Sequence, residues 1–350
     1  MLIADRYETA GVAHFGGMGK VLQCRDIVLE RQVALKIMPG DASRRRINDE
    51  VGALFKMRSK NVVQLYDVLQ VGGELAIVQE YVSGADLFDD STSPQSLSDY
   101  LKMLWQIASG LSDIHKLGVI HRDIKPNNMK VDSEGVLKIF DFGLARDEGD
   151  GAATMGFVGT HGFAAPELYG LQVRFTAAVD VFAFGATALF LGSRSLPDEL
   201  LNKPPTRLNG NVFAKLKWGV STIVAQILQD CLDVDPAKRP SMAQVRDVLA
   251  KYLLQDRHRA LVVYNNTPSF LDSNNRSVVL NLPNIGFVEI HYDGFDFVVV
   301  ATSGDVFINN MRVSVGFKLP GACVVALGAP EHRAKRRYIT FDLSHPEIVL

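Results

Sequence analysis

Residues 121–128 read HRDIKPNN, and Asp141-Phe142-Gly143 follows inside KIFDFGLAR. The residue types in this stretch could move a phosphoryl group. That chemistry needs one carboxylate to orient an attacking hydroxyl, and a second carboxylate plus an amide oxygen to hold Mg²⁺ against nucleotide phosphates. Asp123, Asp141 and Asn128 supply that set. Either triplet alone, HRD or DFG, occurs often by chance. Both together, with Asp141 placed 18 positions after Asp123 and with Lys125 and Asn128 between them, form a specific signal.

These motifs resemble the eukaryotic-like serine/threonine protein kinases, and the chain's short form suits the bacterial or phage type. The resemblance implies that Asp123 is the catalytic base, that Lys125 contacts the transferring phosphoryl group, and that Asn128 and Asp141 bind the metal, Mg²⁺ or alternatively Mn²⁺. Lys125 and Pro126 look like the serine/threonine branch, as does Thr160 after Gly159. The resemblance also expects Glu167 of the APE triplet (165–167) to pair with Arg239, and Asp180 to brace the catalytic loop.

Upstream, residues 14–21 read HFGGMGKV where the family has a glycine-rich loop. Gly16 and Gly19 stand at its second and third glycine positions with Gly17 between, and a missing Cβ there lets main-chain amides approach phosphate oxygens. His14 replaces the first glycine, and Val21 closes the motif. In VALK (33–36), strand alternation puts Ala34 and Lys36 on one face, a small residue for adenine and an ammonium for phosphates. Glu50 falls where the family's helix glutamate pairs with that lysine. LAIVQEYV (75–82) resembles the strand and hinge that bind adenine, with Gln79 as gatekeeper and Glu80 and Val82 in the hinge. Asp86 matches the carboxylate that meets the ribose hydroxyls. Where the family has an apolar floor beneath the base, this chain has Lys130, whose aliphatic stem can cover it.

Arg122 before the base implies control by an anion in the activation segment. The resemblance leaves Thr154 as an autophosphorylation site, with a standing charge from Asp147, Glu148 or Asp150 as the alternative. Arg44, Arg45 and Arg46 are either a helper site for that phosphate or a solvated helix face.

The elements that must position these residues are legible from periodicity. Residues 7–82 alternate short apolar strands with turns around one helix, near 42–57. From Leu97 the apolar residues Tyr100, Leu101, Leu104, Ile107, Ala108, Leu111 and Ile114 recur at helical spacing, and Gly118 is a plausible stop. Helical patterns continue at 177–191, 219–232 and 242–254. After 257 the pattern changes to short β-branched and aromatic runs at 261–264, 277–282, 287–291, 295–301, 323–327 and 338–343, separated by turn residues. The expected fold class is therefore α+β, a bilobal kinase fold followed by a small all-β domain. The kinase domain spans 1–256, with its N-lobe about 1–82 and its C-lobe about 83–256, and the accessory domain spans 257–350. The strand order of the latter, with Asn309-Asn310 at a turn, resembles a degenerate forkhead-associated (FHA) sandwich lacking the residues that read phosphothreonine.

At 350 residues and 47% hydrophobic, the chain can bury two cores. Its 37 basic and 39 acidic residues nearly cancel, which does not suit a nucleic-acid binder. Cys24, Cys231 and Cys323 have neither disulfide nor zinc spacing, so a reducing, cytoplasmic setting is expected. Asp5 and Arg6 interrupt any secretory signal, and the apolar run 181–191 is shorter than the roughly 20 residues of a membrane helix. The function these features imply is transfer of the γ-phosphoryl of ATP to Ser or Thr hydroxyls of protein substrates, including the chain itself. Self-association through the C-terminal domain is a further expectation. The alternatives are a pseudokinase scaffold working through that domain, and a tyrosine or dual-specificity kinase.

Overall fold

The computed structural model describes residues 2–16, 19–38, 55, 57–141, 146–147, 160–170, 175–264, 267–344 and 348. The chain divides into two compact units, Met1–Leu249 and Ala250–Val349.

The first unit begins with a six-stranded antiparallel sheet. Its strands are β1 (Leu2–Ile3), β2 (Tyr7–Gly16), β3 (Gly19–Asp26), β4 (Arg31–Met38), β5 (Leu65–Val71) and β6 (Glu74–Glu80), in the order β1-β2-β3-β4-β6-β5. Tyr7, Leu22, Cys24, Val33, Leu35, Ala76 and Val78 pack on one face. Alternation sends Ala34, Lys36, Ile77 and Gln79 to the other. The β3–β4 turn is held by Asp26, which is fully buried. Its carboxylate accepts from Arg6 Nε and Nη2 at 2.9 and 2.8 Å and from the amides of Val28 and Leu29. The Arg6 hydrogen bonds are the main reason that its pKa is lowered to about 2.

Helix α1 (Leu97–Lys116) starts on Ser96, whose hydroxyl accepts from the Asp99 amide at 3.1 Å. Tyr100, Leu104, Ile107, Leu111 and Ile114 form its buried stripe, and Gly118 follows at φ +72°. Next come β7 (Val119–Ile120), a 3₁₀ turn at Pro126–Asn128, β8 (Met129–Val131), β9 (Leu137–Ile139) and β10 (Arg146–Asp147), with β8 paired to β9 and β7 to β10. Helix α2 (Ala178–Ser193) is apolar all round because it is buried all round. Arg194, at φ +57°, ends it. The short α3 (Asp198–Leu201), α4 (Thr222–Cys231) and α5 (Met242–Leu253) follow. Among the described residues no helix is long and apolar enough to cross a membrane.

The second unit contains β11 (Ala260–Tyr264), β12 (Thr267–Leu271), β13 (Ser277–Leu282), β14 (Gly286–Tyr292), β15 (Phe297–Gly304), β16 (Val306–Ile308), β17 (Met311–Arg312), β18 (Cys323–Leu327) and β19 (Arg337–Leu343). They form a six-stranded sheet, β12-β11-β19-β18-β16-β17, and a three-stranded sheet, β13-β14-β15. Both sheets feed one core: Leu280, Val288, Ile290, Tyr292 and Val299 from the smaller, Val262, Ile308, Val325, Ile339 and Phe341 from the larger. The sandwich follows from strands with one buried face each. Asn309 and Asn310, at φ +47° and +65°, make the two-residue β16–β17 turn, where asparagine tolerates the left-handed region.

Candidate active site

The β8–β9 hairpin is the device that joins the two motifs. Met129 pairs with Ile139, so the residues just outside the ladder, Asn128 and Phe140, meet: the Phe140 amide donates to the Asn128 carbonyl at 3.0 Å. The hairpin closes over Asp132, whose carboxylate accepts from the Glu134 and Val136 amides, both at 2.9 Å. The 18-residue spacing of Asp123 and Asp141 is thus the length of one loop, one short turn and one hairpin.

Asp123 is 5% exposed and fixed on both oxygens. Oδ1 accepts from Thr160 Oγ1 at 2.7 Å, and Oδ2 from Asn128 Nδ2 at 3.0 Å and from Lys125 Nζ at 2.8 Å. Lys125 Nζ also donates to Thr160 Oγ1 at 2.8 Å, closing a ring of three side chains. Asn128 Nδ2 donates to the Asp123 carbonyl as well. Because the Asn128 nitrogen faces Asp123, its oxygen is the end left for a cation.

Lys36 arrives from the sheet above and forms an ion pair with the Asp141 carboxylate. Burial, the largest single influence, opposes ionisation of Asp141. The charges of Lys36, His121 and Lys125, with the Lys36 hydrogen bond, outweigh it and hold the carboxyl below its ordinary value. Asp141 and Arg122 both sit at φ +70°, strained backbone of the kind that gathers at functional sites.

Beneath the loop, Asp180 of α2 is fully buried and orients it. Its oxygens accept from the His121 amide (2.8 Å), the Arg122 amide (2.7 Å) and His115 Nε2 (2.9 Å). Here too burial opposes ionisation and loses to the His115 and His121 contacts, so the carboxyl titrates low. His121 donates from Nε2 to the Phe140 carbonyl at 3.0 Å, tying the HRD segment to the DFG segment. Arg122 stacks over Phe175 at 3.7 Å. Glu167 holds Arg239 in a bidentate pair at 2.7 and 2.9 Å, and Arg239 also donates to the Ala178 carbonyl.

Toward the linker after β6, Glu80 turns its carboxylate inward, to Lys138 Nζ at 2.9 Å and to the Gln64 amide at 3.1 Å. Asp86 caps the Phe88 amide at 2.9 Å. Val82 is buried, and its carbonyl accepts from Lys130 Nζ at 3.4 Å. Gly16 and Gly19 pair at the tip of the β2–β3 hairpin, and Val21 pairs with both His14 and Lys36. Gly17, Glu50, Phe142, Gly159, Thr154, Glu148, Asp150, Arg44, Arg45 and Arg46 lie outside the described residues.

The structure also shows supports that the sequence did not announce. Asn61 Nδ2 donates to Gln106 Oε1 and to the Leu137 carbonyl, both at 3.0 Å, and Gln106 Oε1 accepts from the Leu137 amide. This buried amide pair fastens β9 to α1. Its only signal was a glutamine inside an apolar helical stripe. His115 likewise follows a buried isoleucine and carries no motif.

The sequence profile of the protein kinase domain family matches residues 12–249. The chain belongs to the protein kinase family. Its similar proteins include human cyclin-dependent kinase-like 2, 30% identical over 287 residues, covering 69% of this chain and 57% of that protein. CBL-interacting serine/threonine-protein kinase 12 of Arabidopsis thaliana is 28% identical over 258 residues, covering 70% of this chain and 52% of its own. The chain thus spans about half the length of these curated relatives. Among solved structures, the CAK complex of Chaetomium thermophilum bound to ATP-gamma-S shares the fold, with a TM-score of 0.57 and 21% identity over 69% of this chain and 90% of that one. The family profile ends at residue 249, before the β sandwich. In this fold β4 of the sheet and the end of the β8–β9 hairpin bring Lys36 and Asp141, far apart in sequence, into an ion pair.

Proposed function

We propose that this chain is a serine/threonine protein kinase that transfers the γ-phosphoryl of ATP to Ser or Thr hydroxyls of proteins, its own among them. The observation that carries the reading is the ring around Asp123: a carboxylate fixed by Thr160, Lys125 and Asn128, set beside the Lys36–Asp141 pair. Asp123 accepts the hydrogen of the substrate hydroxyl as its oxygen bonds to phosphorus and the bond to ADP breaks. Lys125 sits where charge builds on the transferred group, and Lys36 draws in the phosphate oxygens. Asn128 and Asp141 offer an amide oxygen and an ionised carboxylate, a donor set that suits Mg²⁺. When bound, the ion would neutralise phosphate charge and stabilise the transferring group electrostatically.

The Lys125-Pro126 pair and Thr160 support serine/threonine over tyrosine. In this reading the kinase domain spans 1–256, with Glu50 as partner of Lys36, Gly16, Gly17, Gly19 and Val21 over the phosphates, Ala34, Glu80 and Val82 around adenine, and Asp86 at the ribose. Residues 257–350 form an accessory, FHA-like domain, a fold reading supported by the sandwich and the Asn309–Asn310 turn, and it serves substrate docking, dimerisation or autoinhibition. A cytoplasmic setting fits the unpaired cysteines. The test incubates wild type and Asp123→Asn with labelled ATP, Mg²⁺ and a generic protein substrate. Label on phosphoserine or phosphothreonine in wild type alone is expected, and equal incorporation by both proteins would sink the proposal.

A further inference from the structure

The sheet and the hairpin place two hydrogen-bonding side chains around the space where a nucleobase would lie. On β4 and β6, Ala34 is paired with Gln79 and Lys36 with Ile77. Their neighbours Val33, Leu35, Ala76 and Val78 are buried on the opposite face. Alternation therefore puts Gln79 on the face of Lys36, and the Lys36–Asp141 pair shows that this face looks onto the catalytic residues. Gln79 is partly buried there and precedes the linker, residues 80–82. From below, Lys130 on β8 reaches that same linker, donating to the Val82 carbonyl at 3.4 Å while its main chain bridges Asp86. A base lying against residues 80–82 meets a side-chain amide at its back and the Lys130 stem beneath it, which carries its ammonium to the linker edge.

Adenine and guanine differ most at carbon 6, which bears an amine in one and a keto oxygen in the other. A site offering only a main-chain carbonyl there rejects the keto base, because two acceptors would face each other in a desolvated place. A glutamine amide carries a donor and an acceptor and can turn end for end, so it serves either group. An ammonium has three donors, and Lys130 uses one on Val82, which leaves others for a keto oxygen or a ring nitrogen. We infer that the base site of this chain accepts guanine as well as adenine, so that GTP and ATP both act as phosphoryl donors, with Gln79 and Lys130 setting the ratio. This rests on the nucleotide-site reading given above and extends it to a second substrate.

The experiment compares kcat/KM for labelled ATP and GTP, each with Mg²⁺, in the full chain. Variants are Lys130→Met, Gln79→Leu and Gln79→Met, the last matched in volume to protect the fold. Wild type should use GTP within about tenfold of ATP, and the ATP-to-GTP ratio should rise about tenfold in each variant as one donor is lost. Displacement of a fluorescent nucleotide by ADP and by GDP should shift in the same proportion. Use of ATP without GTP in wild type, or a ratio unmoved by all three variants, overturns this inference and leaves the nucleotide site standing. Full turnover with both nucleotides in Lys36→Met would instead overturn the site itself.

Discussion

In the first unit, Asp123, Asn128, His121, Asp180 and Arg239 are all buried, and each is hydrogen-bonded to another group of the same site. In the second unit, the buried side chains among the described residues are apolar apart from the Tyr292 hydroxyl, which donates to the Gly294 carbonyl and accepts from the His258 amide. Burying polar groups opposes folding unless every one finds a partner, and even then apolar packing is often as stable. The contrast teaches that the first unit buries a connected set of polar groups, which the proposed phosphoryl transfer would use, while the core of the second rests on apolar packing. On the surface of the second unit, Asn309, Asn310, Val324, Ala326 and Tyr338 line an open cavity of about 420 Å³.

The comparison breaks first if a polar residue of the first unit proves to be mere structure. Asp141→Asn keeps an acceptor for Lys36 but removes its counter-charge, so phosphoryl transfer should fall by about 10³-fold or more while the protein still folds with a lowered melting temperature. An active Asp141→Asn protein in the labelled-ATP assay would remove the main reason for the buried polarity. Next in size, Glu167→Gln leaves the Arg239 guanidinium buried without its counter-charge and should cost about 3 to 5 kcal/mol in urea denaturation. In the second unit Ile290→Ala should cost about 2 to 5 kcal/mol through lost burial and a residual cavity, with kcat changed little. A large loss of activity there would show that the apolar core is not indifferent to chemistry.

The smallest effect is a pH slope. Asp26 titrates at about 2 in the folded chain, below the ordinary 3.8, so its stabilisation is complete above the unfolded value and fades as pH falls toward about 2. Denaturation midpoints measured from about pH 5 downward should therefore drop more steeply for wild type than for Asp26→Asn, and parallel curves would remove Arg6–Asp26 as a stabilising contact.

Much of the architecture could be read in advance where one period dominates. The stripe from Leu97 to Ile114 became α1, and the apolar run 177–191 became α2 within a residue or two. The runs 277–282 and 323–327 became β13 and β18 without change. β12, TPSFL, escaped because Pro268 and its polar neighbours hide the alternation, and it forms as an edge strand, where a missing amide is tolerated. β7, β10 and β17 escaped because two residues carry no period.

Local spacing by itself determined the proposed catalytic set, because Asp123, Asn128 and Asp141 are separated by one loop and one hairpin whose lengths are written in the chain. The Asn309-Asn310 turn was equally local. Only the tertiary structure decided which distant groups complete these sets: Lys36 on Asp141, His115 on the Asp180 carboxylate, Phe175 beneath Arg122 and Lys130 on the Val82 carbonyl. A hairpin is closed by main-chain hydrogen bonds between near neighbours, which sequence patterns record. A buried charge takes whichever partner the packed elements deliver, and that delivery depends on how the sheet, hairpin and helices of the first unit meet in space.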